Sequence, residues 1–500
     1  MAKERKHPKG LMVLFFIEMW ERYNYYGMRA ILVLFMTKAM LFDKVFASNL
    51  YGSYTSLVFL TPLLGGYMSD RYWGNKRSIA AGGIVMAIGE FVLFFCGLNY
   101  HKNPELSSLL FFMGLGLMIA GTGFFKPNNS SMIGQLYPKG DKRVDSAYTI
   151  FYMGINVGAA LGPIVCGFFG DTGNPDDFKW AFLAGGTGMI LSVIIQRIFH
   201  NKYVRDPNNK ILGLTPETTQ KKLINPFFII IGFVMLSCIT ICLLYIDVKV
   251  VNYLVYLLFG ALIFSVIIIF GDKKLTFIEK QRIGVIFIVS FFVVFFWSAY
   301  EQAGASLTFF ADEQTQRDLG FLYVPASFFQ SLNSIFIIIL APIFAWLWLK
   351  LGKRDPTSPT KMAIGLFLLS SGFLWIAFGV NKVVPGIKVS MIWLTGMYFL
   401  HTCGELCLSP IGLSLVNKLA PFKFASLLMA VWFLANSFAN KLAGVLSALY
   451  PDNRTTSFLT YKITNMHDFF MLFVFMSGFA ALILLLLTNV LKRMLHTNQI

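Results

Sequence analysis

Four charged side chains lie inside an apolar stretch near the start of the chain, where ionic chemistry is possible. Glu18, Glu21, Arg22 and Arg29 interrupt the apolar run 11–41, which is long enough to cross a bilayer. With about 100° of rotation per helical residue, these charges share one face, which leaves the opposite face for lipid. Burying four charges would cost roughly 10–14 kcal/mol on insertion scales unless they pair or face a polar cavity. The first helix is therefore predicted to line a polar cavity at mid-membrane.

Other polar and aromatic side chains also fall deep within apolar runs. They are Lys126, Tyr152 and Asn156 in the first half, and Trp297, Glu301, Gln302, Gln330, Asn333, Glu405, Ser409 and Trp432 in the second. The deep charges of the first half are net basic, whereas those of the second half are the acids Glu301 and Glu405. A cavity with positive charge on one wall and negative charge on the other fits a zwitterion with separated ends. Buried carboxylates are also candidates for carrying protons.

Composition is typical of a polytopic membrane protein. Of the 500 residues, 56% are hydrophobic and 13% are charged. The net charge of +17 is compatible with nucleic-acid binding by itself. However, the Lys and Arg residues lie in short loops on alternate sides of successive apolar runs, which is a topology signal. This distribution predicts cytoplasmic termini and no nucleic-acid partner.

The apolar runs predict an all-α fold with 14 transmembrane helices in groups of six, two and six. The runs are 11–41, 49–69, 78–98, 106–126, 144–169, 179–199, 225–246, 251–271, 283–310, 324–349, 361–381, 389–417, 424–449 and 467–491. We divide the chain into an N-terminal six-helix bundle (1–200), a linker with two additional helices (201–282) and a C-terminal six-helix bundle (283–500). Two such bundles are the major facilitator arrangement, in which the substrate binds at mid-depth between the halves. The loop Gly66–Arg77 resembles the helix 2–3 signature of that superfamily.

Three segments resemble one family within that superfamily. Residues Glu18–Gly27, which read EMWERYNYYG, are similar to the ExxER(F/Y)xYYG motif of the proton-dependent oligopeptide transporter (POT/PTR) family. Gly123–Asn128 and Phe296–Gln302 resemble the family signatures in helices four and seven, and the central helix pair resembles the extra hairpin of bacterial members. The resemblance implies a proton-coupled symporter that imports di- and tripeptides by alternating access across the bacterial inner membrane.

The resemblance also implies roles for individual residues in substrate binding. The peptide carboxylate would be received by Arg22 and Lys126 with Tyr26 and Asn156, since Arg and Lys are strong donors in a low dielectric. The peptide ammonium would be received by Glu405 with help from Asn333. The remaining substrate-binding residues, most of them expected in side-chain pockets, are Tyr152, Trp297, Ser409, Trp432 and Phe433.

Proton coupling and gating follow from the same resemblance. Glu18, Glu21, Arg22 and Glu301 are the expected coupling residues. Arg29–Glu301 would form an outer salt bridge between the halves, and Lys126–Glu405 an inner one. Protons are the coupling ion, and we expect no other cofactor, no metal site, no catalytic residue and a functional monomer. One departure concerns Phe59, which stands where many members have Tyr, so one substrate hydroxyl contact is expected to be missing.

Several alternatives remain open from the sequence. A relative of the family that transports nitrate or another small anion, or that selects peptide mimetics, would share most of the pattern, although the intact ExxER motif favours peptides. The first-helix cluster also fits a structural ion-pair network, and Trp432 also fits ordinary packing. A membrane enzyme is disfavoured because no HExxH or GxSxG motif is present. A channel would not need charge pairs between two halves.

Overall fold

The computed structural model describes residues 6–138, 140–215, 226–249, 253–381, 387–452 and 455–495. Within these ranges the chain is almost entirely helical, which confirms the predicted all-α class. The α-helices are α1 (Lys9–Leu34), α2 (Lys44–Met68), α3 (Asn75–Asn99), α4 (Pro104–Ser130), α5 (Arg143–Gly170), α6 (Phe178–Tyr203), α7 (Pro226–Lys249), α8 (Tyr253–Phe270), α9 (Phe277–Tyr300), α10 (Ser306–Glu313), α11 (Phe329–Leu351), α12 (Ser358–Val380), α13 (Met391–Leu419), α14 (Ala425–Ser447) and α15 (Met466–Leu495).

Ten helical segments in these ranges are long and apolar enough to cross a membrane. Local signals mark where some helices begin. Asn103 accepts a hydrogen bond from the Leu106 amide ahead of α4, whose first residue is Pro104. Thr276 and Glu279 form a reciprocal capping box at the start of α9. The chain is therefore a multi-pass membrane protein, and the total of 14 spanning helices stays a prediction.

The apolar run 283–310 lies within one candidate membrane span, Phe277–Glu313, but its α-helix is interrupted rather than continuous. Helix α9 ends at Tyr300, a 3-10 turn covers Glu301–Gly304, and α10 then begins at Ser306. A Cβ atom at Gly304 would lie 1.6 Å from the Tyr51 hydroxyl oxygen, so the turn needs a glycine where this ring approaches. Hydropathy does not reveal the break because the residues on both sides are apolar.

The structure divides into two compact units. The first unit comprises Met1–Phe42 with Leu57–Lys249, and the second comprises Asp43–Ser56 with Val250–Ile500. Helix α2 contributes its beginning to the second unit and the remainder to the first. The predicted boundaries at residues 200 and 282 divide the chain into two helix bundles and a linker instead, and they stay predictions.

The two helices of the central pair pack in different units. In the first unit, Phe233 of α7 lies against Phe124 of α4, with ring centroids 4.5 Å apart. In the second unit, Phe259 of α8 contacts Phe438 of α14 edge-on, with centroids 4.9 Å apart. Each helix of the pair is therefore anchored by aromatic packing within its own unit.

Two short strand pairs complete the described architecture, and both lie in loops of the second unit. The parallel pair joins β1 (Thr315–Gln316) to β2 (Val389–Ser390). The antiparallel pair joins β3 (Thr456–Phe458) to β4 (Tyr461–Ile463).

In the first unit, glycines bring α1 close to α5. A Cβ atom at Gly158 would lie 2.1 Å from the Met19 carbonyl oxygen, and one at Gly162 would lie 2.4 Å from the Tyr23 carbonyl oxygen. Because neither position carries a side chain, the backbone of α1 rests directly on α5. This close packing fixes the segment of α1 that carries the predicted charges.

Candidate functional site

A buried acid–base cluster lies on α1 and confirms that its first three charges share one face. The Arg22 guanidinium lies 2.9 Å from Glu18 Oε1, and Arg22 Nε lies 3.0 Å from Glu21 Oε2. All three residues are at least 95% buried. One fixed cation thus serves two buried carboxylates, and the cluster carries a formal charge of −1 if both are ionised.

The two carboxylates of this cluster are held differently. Glu18 accepts hydrogen bonds from Arg22 Nε at 2.9 Å and from Asn129 Nδ2 of α4 at 2.8 Å. Glu21 contacts Arg22 without hydrogen-bond geometry, and its oxygens accept no hydrogen bond from the residues that the structure describes. Glu21 is therefore the less firmly held carboxylate and the better candidate for taking up a proton.

Asn129 is a site residue that sequence reasoning missed. Besides its bond to Glu18, it donates to the Leu14 carbonyl oxygen at 3.2 Å, so it joins α4 to α1 at two points. A usable signal was present, because Asn129 follows the Lys126-containing segment at helical spacing. That signal is weak, because an amide near a helix end is commonly a capping residue.

Lys126 lies on α4 in the same unit, above the ring of Phe59. Its Nζ atom is 4.0 Å from the ring centroid, which is a cation–π contact. Lys126 also interacts electrostatically with Glu21. The Phe that stands in place of the expected Tyr therefore contacts a predicted substrate-binding residue through its ring face rather than through a hydroxyl.

The remaining predicted residues of the first unit lie on α1 and α5. Tyr26 is half-buried, and the Arg29 guanidinium lies 5.5 Å from the centroid of its ring. Asn156 is buried and donates to the Tyr152 carbonyl oxygen at 2.9 Å, whereas the Tyr152 side chain is exposed. The one-turn spacing of Asn156 and Tyr152 predicted from the sequence is therefore observed.

In the second unit, Glu405 of α13 is surrounded by neutral donors. The Tyr300 hydroxyl and Asn333 Nδ2 both donate to Glu405 Oε2, the latter at 2.9 Å. Asn333 also donates to Thr402 Oγ1 at 3.2 Å. Asn333, which the sequence places with Glu405 at the ammonium end of the peptide, thus binds Glu405 directly, and the role of both residues in substrate binding stays a prediction. This buried carboxylate is prepared for a cation while its own hydrogen bonds are supplied by uncharged groups.

Tyr300 and Lys441 are further residues that sequence reasoning did not assign. Tyr300 lies in the helix-seven signature and binds Glu405, but a Tyr in an aromatic-rich run does not stand out. Lys441 is a fully buried cation on α14, and its Nζ atom donates to Ser53 Oγ at 2.9 Å. A lysine inside the apolar run 424–449 was a detectable signal.

The other predicted residues of the second unit are placed as follows. Trp297 lies edge-on to Tyr300, with ring centroids 5.1 Å apart. Trp432 is buried against α13, where a Cβ atom at Gly412 would lie 2.1 Å from its indole ring. Ser409 and Phe433 are half-buried, and Glu301 is buried in the 3-10 turn. Trp432 thus has contacts that fit the alternative interpretation of this residue as ordinary helix packing.

The two predicted gate bridges each join residues of different units. Arg29 and Lys126 belong to the first unit, and Glu301 and Glu405 belong to the second. Both bridges stay predictions.

Comparison with known proteins places these features in a family. A model of the POT family matches residues 76–466 of this chain. The chain belongs to the POT family. This POT family member is 36% identical over 453 residues to "Uncharacterized transporter YclF" of Bacillus subtilis, and the match covers 89% of this chain and 88% of that protein. It is 34% identical over 463 residues to "Peptide transporter YePEPT" of Yersinia enterocolitica, with 88% and 87% covered.

Among solved structures, this POT family member resembles a mutant of a peptide transporter POT crystallised with alafosfalin. The TM-score is 0.83 at 33% identity, and the alignment covers 99% of this chain and 97% of that one. Similarity of this extent confirms an all-α polytopic transporter of the major facilitator type. The resemblance drawn from the α1 motif is confirmed, and transporters of this kind are not enzymes.

Proposed function

We propose that this POT family member is a proton-coupled symporter that imports di- and tripeptides across the bacterial cytoplasmic membrane. The observation that carries the proposal is a pair of cations on α1 and α4 of the first unit and a buried carboxylate on α13 of the second. The first unit presents Arg22 and Lys126, and the second presents Glu405 among neutral donors. A short peptide has a carboxylate at one end and an ammonium at the other, so it complements both. One relative is named a peptide transporter, and one similar structure contains alafosfalin.

In this proposal the peptide carboxylate binds to the first unit. Arg22 offers a planar fork of N–H donors, and Lys126 offers an ammonium on a flexible stem. Tyr26 and Asn156 supply neutral donors on α1 and α5. Nitrate could also be held by Arg22 and Lys126, but it has no ammonium to use Glu405. The second unit therefore favours a zwitterion over a simple anion.

The peptide ammonium binds to Glu405 in the second unit. Tyr300 and Asn333 hold Glu405 Oε2, so the other carboxylate oxygen can receive the N–H donors of the ammonium. Trp297 lies beside Tyr300 and contributes an apolar wall for peptide side chains. Ser409, Trp432, Phe433 and Tyr152 complete the proposed set of substrate-binding residues.

Proton coupling follows from competition for Arg22. When a peptide carboxylate binds Arg22, a negative charge enters a cluster in which one guanidinium already serves Glu18 and Glu21. The least costly response is protonation of the less firmly held carboxylate, Glu21, because the charge of the cluster then stays constant. Loss of that proton on the cytoplasmic side returns Arg22 to Glu21 and releases the peptide.

The remaining features of the proposal follow the family. The transporter works by alternating access with 14 spanning helices, both termini are cytoplasmic, and a monomer is the functional unit. Arg29–Glu301 closes the outer side and Lys126–Glu405 closes the inner side. Glu301 contributes to coupling through the outer bridge. Protons are the coupling ion, and no other cofactor takes part.

The decisive experiment uses proteoliposomes containing a pH-sensitive dye. An inward gradient of dialanine should acidify the lumen, and a protonophore should abolish this acidification. Accumulation of dialanine against its own gradient should require an inward proton gradient and should likewise be abolished by the protonophore. Alanine and sodium nitrate are the matched controls. Dialanine uptake that ignores the proton gradient would contradict coupling, and uptake of nitrate without dialanine would identify a small-anion transporter instead.

We also predict that Glu21→Gln separates exchange from accumulation. The neutral amide mimics a protonated Glu21, so peptide binding and counterflow should stay within about threefold of wild type, whereas gradient-driven uptake should fall by at least about tenfold. Glu18→Gln should show the same split with weaker counterflow, because Glu18 also binds Asn129. Equal loss of counterflow and driven uptake in Glu21→Gln would point to misfolding rather than coupling.

A further inference from the structure

Another buried acid of the first unit lies on α3 rather than on α1. Glu90 is in the middle of α3, and its only hydrogen bond to the described residues is a 2.8 Å bond from Asn24 Nδ2 of α1. Both side chains are fully buried. Glu90 belongs to none of the recognised motifs, and Asn24 occupies a variable position of the ExxER(F/Y)xYYG pattern. The pair is therefore a feature of this chain that the family motifs do not explain.

The atoms left over from this bond identify the protonation state of Glu90. Glu90 Oε2 and Asn24 Oδ1 are buried, and neither has a hydrogen-bond partner within the described part of the chain. If Glu90 were ionised, both oxygens would be acceptors without donors, which is a costly arrangement in a membrane interior. If Glu90 carries a proton on Oε2, that O–H can donate to Asn24 Oδ1. One proton then satisfies both atoms and gives a reciprocal acid–amide pair.

The surroundings of Glu90 also favour the neutral acid. Among the described residues, the titratable groups that interact with it are Tyr23 of α1 and Cys166 of α5, and neither is a cation. On α6, a Cβ atom at Gly185 would lie 3.2 Å from Glu90 Oε1 and 3.4 Å from Asn24 Nδ2. The pair thus fits into a space left by a glycine, and no cation among the described residues forms an ion pair with Glu90. Glu21 differs in this respect because it lies beside Arg22.

We propose that Glu90 keeps a proton bound throughout the transport cycle and that its pair with Asn24 positions Arg22. Asn24 follows Arg22 by two residues, so the two side chains point to nearly opposite sides of α1. Two reciprocal hydrogen bonds on the Asn24 side of α1 resist rotation of the helix. They thereby keep Arg22 directed at Glu18 and Glu21. The proton site stands on geometry alone, whereas the positioning role rests on the proposed function.

The protonation state is tested on purified protein by infrared spectroscopy. Wild type minus Glu90→Gln should show the carbonyl band of a protonated carboxylic acid, and the band should persist at every pH at which the protein stays folded. A carboxylate band in its place, or a band that titrates within that range, would overturn the proposal. This readout does not depend on any substrate, so it remains decisive if the proposed peptide transport fails.

The positioning role is tested by comparing conservative and disruptive variants in proteoliposomes. Glu90→Gln preserves one donor and one acceptor, so dialanine uptake should stay within about twofold of wild type. Glu90→Ala and Asn24→Leu break the pair and should raise KM about tenfold. The double variant Glu90→Leu/Asn24→Leu should recover thermal stability, because it removes both buried polar groups. It should not recover KM, because the hydrogen bonds that orient Arg22 are still absent. Full recovery of KM in that double variant, or equal damage by Gln and Ala at position 90, would refute the positioning role.

Discussion

Glu405→Gln is expected to lower kcat/KM for dialanine by about 100-fold while the protein still inserts and folds. The charge-assisted bond between a carboxylate and an ammonium contributes about 1.5–3 kcal/mol, and the Gln amide cannot replace it. Folding should tolerate the change because Tyr300 and Asn333 can still donate to the amide oxygen. Uptake into proteoliposomes and thermal unfolding in detergent measure the two effects separately.

Matched ligands and variants make the Glu405 prediction specific. N-acetyl-dialanine lacks the ammonium, so wild type should lose affinity for it, whereas Glu405→Gln should bind both peptides about equally. Tyr300→Phe keeps the carboxylate and should cost only about three- to tenfold. Glu105→Gln removes an exposed acid at the start of α4 and should have no effect. Wild-type uptake by Glu405→Gln would show that the ammonium binds elsewhere.

Arg22→Ala is expected to have the largest effect of any single substitution. It removes the peptide carboxylate's main donor and also leaves Glu18 and Glu21 buried without their cation. Breaking one buried ion pair costs about 3–5 kcal/mol, so the yield of folded protein should fall as well as uptake. Dialanine uptake should drop below detection, and thermal unfolding should shift to a clearly lower temperature.

A triple variant separates the binding role of Arg22 from its structural role. Arg22→Ala/Glu18→Gln/Glu21→Gln removes the cation together with both charges that need it, so folding should recover substantially while uptake stays absent. Recovery of uptake in this variant would mean that the cluster is only a structural ion-pair network. That interpretation was left open by the sequence, and this comparison decides it.

Much of the architecture could be predicted because long apolar runs identify membrane-spanning helices in a sequence. The same patterns placed Glu18, Glu21 and Arg22 on one face, since helical periodicity determines which side chains share a side. The break after Tyr300 could not be predicted this way. It depends on the approach of the Tyr51 ring to Gly304, which is a contact between residues distant in sequence.

Partners of buried polar groups were the least predictable part of the candidate site. The family resemblance grouped Asn333 with Glu405, and the two side chains are hydrogen-bonded in the structure. Glu90 was missed because it is a single polar residue in the apolar run 78–98, and Asn24 because it lies on the side of α1 away from Arg22. Periodicity does not say which neighbouring helix a side chain meets. Lys441 was missed for the same reason, although a buried cation by itself is informative.

The contact between Lys126 and Phe59 has a kinetic consequence. A ring face attracts an ammonium through its quadrupole, but it does not require a particular N–H direction as a hydroxyl oxygen does. The ammonium can therefore turn toward an arriving anion and back again without breaking a directional bond to the ring. A Tyr at position 59 would add the hydroxyl contact to substrate that Phe59 lacks, so Phe59→Tyr should lengthen the residence time of bound peptide more than it changes the association rate.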